Sequence, residues 1–321
     1  MKKIRYGILS AAQIVPRFVQ GVQQSQQGEV TAIASRTTGK AQTMAKELNI
    51  SKVFDSYEGL CQSSDVDIVY IPVYNRGHFE AAKLALSHRK HVLLEKPFTL
   101  KTSEAKELFR LAQNNQVFLM EAQKSVFLPL TQKVKKALQA DAIGKIKWLQ
   151  SITTYPSVDH IKWFYSLAAG GGVLHGAGSY PLQYIQYLLD LPVQNYQGLA
   201  VANPGETDSQ CTLSLQFDRG ILGNIFLGVN LEIPSRLTIH GTKGKIDIPT
   251  FWRGKEALIT YTDGTREKIS ADFDSEFVFE VDHVNDCLNK GRLTSPIMTE
   301  KLTVDTVALV ENLYSQWLPE N

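Results

Sequence analysis

The sequence predicts an α/β fold in two parts. The first is an N-terminal doubly wound parallel Rossmann sheet. The second is a C-terminal α+β part with a large, mostly antiparallel open sheet. Three observations predict this. Over roughly the first 120 residues, short apolar runs alternate with helical stretches, the signature of right-handed βαβ units. Beyond about residue 145 the pattern changes to period-two alternation broken by turn residues. A length of 321 residues also favours about two domains.

Ile4–Leu9 reads as a strand and Gln13–Gln24 as a helix. Val30–Ser35 is a strand and Lys40–Leu48 a helix closed by Asn49. Asp67–Val73 is a strand, followed by a helix through Ala81, Ala82, Leu84 and Ala85. His91–Leu94 and Val117–Met120 are strands around a helix over Ser103–Gln113. The unbroken apolar run Ile68-Val69-Tyr70-Ile71 suits a strand buried on both faces. Later, Thr212–Phe217, Ile221–Val229, Arg236–His240 and Lys245–Ile248 read as strands with one polar face, joined at Asp218-Arg219-Gly220 and Thr242-Lys243-Gly244. Helices are expected at Pro181–Leu189, Glu280–Asn289 and Leu302–Gln316. The boundary falls near Glu121–Pro129, giving a dinucleotide-binding part over 1–122 and a substrate-binding and dimerisation part over 123–321.

Composition narrows the function. With 34 basic and 32 acidic residues the net charge is +2, which argues against nucleic-acid and membrane-surface partners. No apolar stretch approaches a membrane span, and no apolar segment of signal-peptide type follows the basic start. Three widely spaced cysteines, Cys61, Cys211 and Cys287, suggest a reducing, cytoplasmic setting. The seven histidines and the carboxylates show no metal-ligand spacing.

The first strand runs into Ser10-Ala11-Ala12-Gln13-Ile14. A dinucleotide fingerprint has glycines here; Ser10 and Ala12 are still small enough to let backbone N–H groups face a phosphate at a helix N-terminus. From this turn alone, an ordinary strand-to-helix turn is an equal reading. The second strand ends in Ser35-Arg36-Thr37-Thr38. An acidic residue there would hold the ribose 2′-hydroxyl of NAD. An arginine among hydroxyls suits a 2′-phosphate instead, so NADP is expected, with NAD possible.

More specific segments follow. His91-Val92-Leu93-Leu94-Glu95-Lys96-Pro97, the strand and turn Tyr70–His78 with Pro72, Val73, Asn75 and His78, the run Gly170-Gly171-Gly172-Val173-Leu174 through Tyr180, and His240–Gly244 occur in the order seen in the Gfo/Idh/MocA family (glucose–fructose oxidoreductase and inositol dehydrogenase). The chain resembles that family along essentially its whole length. Phe118–Ala122 and Ser10 place it nearest the branch of dimeric dihydrodiol and xylose dehydrogenases. The resemblance implies NAD(P)-dependent hydride transfer at a carbon of a sugar-like or small polyol substrate, a cis Lys96–Pro97 bond, and a homodimer through the open sheet. It places Pro72, Val73, Asn75, His78 and Glu95 beside the nicotinamide. Lys96 would polarise the reacting oxygen, and Tyr180, its pKa drawn down by Lys96, would carry the proton. His78 is read as closing its turn. Two departures bear on the substrate. Gly176 stands where the family has an aspartate, and Val126 where the branch has an arginine. His175, one residue earlier, either takes over the acid–base role or is a buried histidine bonded to backbone. Two other classes compete with a dehydrogenase. One is a non-catalytic dinucleotide-binding regulator, favoured by the two departures. The other is a sugar-phosphate binder without dinucleotide, against which Arg36 speaks.

Overall fold

The computed structural model describes residues 3–37, 39–202 and 206–318. The chain divides into two compact units. One is Met1–Lys124 with Ser275–Val307; the other is Ser125–Asp274 with Ala308–Asn321. This differs from a single cut after residue 122. Residues 275–307, expected in the C-terminal part, return to the first unit.

The first unit is built on six parallel strands: β1 (Ile4–Leu9), β2 (Gly28–Ala34), β3 (Lys52–Phe54), β4 (Ile68–Ile71), β5 (His91–Glu95) and β6 (Leu119–Ala122). They lie in the order β3-β2-β1-β4-β5-β6. The helices following the first five strands are α1 (Val15–Gln24), α2 (Lys40–Leu48), α3 (Tyr57–Gln62), α4 (His78–Ser87) and α5 (Thr102–Asn114). All four residues of β4 are buried, as its apolar run requires of a central parallel strand. α2 ends where expected because Asn49 takes a left-handed conformation at the cap. β3 and α3 were missed; three and six residues are too few to display a period.

The second unit carries α6 (Pro129–Gln139), α7 (Val173–Ala177) and α8 (Ser179–Leu189) against one face of an eight-stranded sheet. Its strands are β7 (Ile146–Tyr155), β8 (Val193–Ala202), β9 (Asp208–Phe217), β10 (Ile221–Val229), β11 (Arg236–Gly241), β12 (Gly244–Pro249), β13 (Glu256–Tyr261) and β14 (Arg266–Ser270). The order is β14-β13-β12-β11-β7-β10-β9-β8, antiparallel except where β7 meets β10. In β9, Leu213, Leu215 and Phe217 point into the core while Thr212, Ser214 and Gln216 face out. The outward face also exposes Leu199, Val201 and Leu222.

Two helices complete the fold: α9 (Val278–Asn289) and α10 (Glu300–Trp317). α9 packs on α1 at a point where a Cβ on Gly21 would lie 2.5 Å from the Cβ of Phe277, so a glycine lets these helices meet. Asn285 accepts a hydrogen bond from the Tyr6 hydroxyl at 2.8 Å, and Asp282 one from Ser25 at 2.6 Å. Helix α9 therefore belongs to the first unit, a pairing across more than 250 residues with no local sequence signal.

Candidate functional site

In the first unit, the sequence-predicted residues leave the C-terminal ends of neighbouring strands. The turn after β1 begins at Ser10, whose φ of +113° lies in the region that favours glycine. The position where the fingerprint expects its first glycine thus keeps that backbone shape with a serine, a strain of the sort stored at functional turns. Ser10 N–H donates to the Ala34 carbonyl at 2.8 Å, tying β1's end to β2. Ala11, Ala12 and Ile14 are half-buried and Gln13 exposed. α1 has no acidic residue in its first turn, and no side chain among the described residues caps it. Its N–H groups therefore keep their capacity for an anion.

At the end of β2, Ser35 accepts the Thr37 N–H at 3.1 Å, and Arg36 is exposed. The Arg36 guanidinium lies 5.5 Å from the Tyr57 ring centre and 5.9 Å from that of Tyr74, a double cation–π arrangement. Neither tyrosine was singled out from the sequence, since one opens a helix and the other sits in a turn. Thr38 lies outside the described residues.

After β4, Pro72 and Asn75 are buried and Val73 half-buried. His78 is wholly buried, with Nδ1 2.7 Å from the Pro97 carbonyl and Nε2 3.0 Å from the Val73 carbonyl. Burial lowers its pKa, and a neutral ring donates to one of those two carbonyls. The geometry fits a role in closing the turn and tying it to the segment after β5. There the Lys96–Pro97 bond is cis. Glu95 accepts the Tyr70 hydroxyl at 2.7 Å and the Lys96 N–H at 3.2 Å. Burial lowers the pKa of the Lys96 ammonium, while Glu95 and Glu121 oppose that shift.

Sequence reasoning missed a buried charge cluster in this unit. Lys124, two residues past β6, is 5% exposed. Its ammonium lies 3.7 Å from Glu276 and 5.3 Å from the Phe277 ring centre, and Glu276 also pairs with Arg17 of α1. Glu280 on α9 is fully buried, and neither carboxyl oxygen has a hydrogen-bond partner among the described residues. Lys124 was visible as a polar residue just past a strand end; its partners, some 150 residues later, carried no signal of proximity.

In the second unit, Gly170 and Gly172 have positive φ, and Gly171 lies so close to Phe164 that a Cβ would sit 1.9 Å from its carbonyl oxygen. Asp208 accepts the Leu174 N–H at 2.9 Å and the Tyr314 hydroxyl at 2.5 Å. His175 stacks on Tyr314 at 4.0 Å, with Nδ1 2.9 Å from the Gly171 carbonyl. Burial pushes its pKa down to about 4. Of the two readings left open for this histidine, the geometry favours the buried one; it is not poised near neutral pH. Tyr180 is half-buried, its ring centre 6.0 Å from that of Trp252. Tyr184 and Tyr187 are instead committed to Thr131 and Gln132. At Gly176 an added Cβ would meet no described atom within 4 Å. Val126 is fully buried.

Two family models match the chain: the oxidoreductase family NAD-binding Rossmann fold over residues 4–123, and the GFO/IDH/MocA C-terminal domain over 131–247. The trans-1,2-dihydrobenzene-1,2-diol dehydrogenase of Mus musculus is 29% identical over 309 residues, spanning 92% of this chain and 91% of its own. Among solved structures, a 3-ketoreductase from Actinomadura kijaniata, in complex with NADP and TDP-benzene, superimposes with a TM-score of 0.88 at 23% identity, over 98% of each chain. An aldose-aldose oxidoreductase from Caulobacter crescentus, complexed with glycerol, gives 0.89 at 21% identity, over 98% of this chain and 97% of that one. At such identities the structural likeness speaks for the fold. Together with the two matched models and the ordered motifs, it closes the argument: the chain belongs to the Gfo/Idh/MocA family of oxidoreductases.

Proposed function

We propose that the protein is an NAD(P)-dependent dehydrogenase or reductase that prefers NADP(H) and acts on a CH–OH group of a sugar-like or small diol substrate. The observation that carries this is positional. The Ser10–Ile14 turn, Arg36, the Pro72–His78 turn and Glu95-Lys96 lie at the C-terminal ends of β1, β2, β4 and β5, neighbours in the sheet, where open parallel sheets bind ligands. When bound, the nicotinamide supplies the hydride acceptor or donor. The α1 N-terminus takes the pyrophosphate and Lys96 polarises the substrate oxygen. Tyr180 is assigned the proton from its motif. The diol dehydrogenase, ketoreductase and aldose oxidoreductase relatives support the substrate class. The Gly176 and Val126 departures favour the rival reading as a non-catalytic sensor. Retention of both Lys96 and Tyr180 favours catalysis.

Calorimetry with each dinucleotide tests the cofactor choice. A charge-assisted contact to a 2′-phosphate contributes roughly 1.5–3 kcal/mol, so NADP(H) should bind at least about tenfold more tightly than NAD(H), and Arg36→Ala should abolish that difference. If Arg36, flanked by Tyr57 and Tyr74, is instead a platform for the adenine, the variant weakens both cofactors alike. Absorbance of the reduced nicotinamide over a panel of aldoses and diols then separates enzyme from sensor.

The outward sheet face, with Leu199 75%, Val201 51% and Leu222 55% exposed, supports a homodimer through that face. Light scattering at micromolar concentration reads this, and a monomer would exclude it. Three free, buried cysteines fit a reducing, cytoplasmic setting, which cell fractionation checks.

A further inference from the structure

The first unit encloses a charged cluster, Lys124 with Glu276 and Glu280, to which the proposed function gives no role. A side chain filling the space of Lys124 could be a methionine; burying an ammonium there costs stability that a hydrophobe would not. From this lysine a row of charged groups runs outward. The Lys124 side chain is 7% exposed, that of Glu276 15%, and that of Arg17 46%. Glu276 lies 3.7 Å from the Lys124 ammonium and also pairs with the Arg17 guanidinium.

We propose that Lys124 and Glu276, anchored by Arg17, form a proton exit that connects the surroundings of Lys96 with solvent. This rests on the oxidoreductase reading. When the alcohol is oxidised, its C–H bond breaks and the hydride reduces the nicotinamide. Its O–H bond breaks as the carbonyl forms, and that proton must leave. It reaches the Lys124 amine, making an ammonium, passes to the Glu276 carboxylate, and leaves to water at the rim where Arg17 is exposed. Reduction of a ketone runs the same steps backwards.

The surroundings suit this traffic. Burial brings the Lys124 ammonium down to about 7, with repulsion from Arg17 on α1 and Lys96 after β5 acting in the same direction. Glu95 on β5 and Glu280 on α9 oppose the shift, and Glu276 faces the amine from the segment just before that helix. A group near the working pH gives and takes protons without a deep trap in either direction. Burial, with Glu95 and Glu121 nearby, raises the Glu280 carboxyl well above the usual range, a shift that Lys124 opposes.

The test uses the full-length protein and a substrate the wild type turns over. Lys124→Met and Glu276→Gln should each lower kcat at pH 7 by at least about tenfold, the scale of a lost proton-transfer partner, with cofactor affinity within about twofold of wild type. Added imidazole, a diffusible proton carrier, should restore part of the rate of Lys124→Met and leave the wild type unchanged. Lys124→Arg, whose guanidinium does not release its proton, should stay slow. Wild-type kcat and pH profile in both variants would overturn the proposal. So would a rate loss in Lys124→Met that imidazole does not touch, the mark of a merely structural role. A wild type that binds dinucleotide yet turns over no substrate would overturn the oxidoreductase reading itself, and this exit with it; the two failures are told apart by the wild type alone.

Discussion

Lys96→Met is expected to lower turnover by about 10²-fold or more while NADP(H) affinity stays close to wild type: in the proposed role Lys96 acts on developing oxyanion charge, and losing such a group is felt in the transition state. The residue follows β5 directly, with its own N–H held by Glu95. Burial lowers its pKa, so the ammonium gives up its proton more readily than a solvated lysine would. Methionine keeps the length and apolar volume of the stem, so the fold should survive. Steady-state kinetics with calorimetry on the same preparation separates the outcomes. A variant with wild-type kcat on a confirmed substrate would remove Lys96 from the chemistry, whereas a large loss of cofactor affinity would make it a binding residue.

The second large effect concerns stability. Gly172 has φ +101° and ψ 155°, a region essentially restricted to glycine, and a Cβ there would lie 2.1 Å from Asp208 Oδ1 and 2.4 Å from the Tyr314 hydroxyl. Gly172→Ala combines backbone strain with overpacking and should cost about 3 kcal/mol or more. That is a large share of the roughly 5–15 kcal/mol that holds a domain together. It should also disturb the Asp208–Tyr314 pair and the Leu174 N–H bond to Asp208. Gly176→Ala is the control. That glycine is inside α7, its φ is ordinary and an added methyl meets no described atom within 4 Å. It should change stability by less than about 1 kcal/mol. Urea midpoints for the two variants check this; equal midpoints would mean that the Gly172 backbone relaxes freely.

What the sequence disclosed followed the range of the interactions involved. Ile68–Ile71 announced a central strand because burial on both faces demands four apolar residues in a row. Ser10 was recognised by its place between a strand and a helix, although its side chain is not the expected one. The Glu95-Lys96-Pro97 triplet stood out as a local motif. His175 shows the limit. An imidazole in a sequence carries its solution pKa, and only the stack on Tyr314 and the Gly171 carbonyl reveal that burial has displaced it. Strands β7, β8, β13 and β14 were overlooked. β8 has Gly198 in its middle, and β14 at the sheet's edge reads Arg-Glu-Lys, with little apolar alternation to find. The Lys124, Glu276 and Glu280 cluster was out of reach for a different reason, since its members meet only when a distant helix docks on α1.

That docking sets an order of assembly during synthesis. Domains generally fold as the chain emerges, N-terminal part first. Here a nascent chain ending at residue 124 has all six strands of the parallel sheet but lacks its last helical layer. The Tyr6 hydroxyl has not yet met Asn285, Ser25 has not met Asp282, and Phe18 lacks the edge of the Phe277 ring. The part translated first is therefore completed only after the whole eight-stranded sheet has been made. Until then, an unfinished apolar surface on α1 has to be kept from other chains.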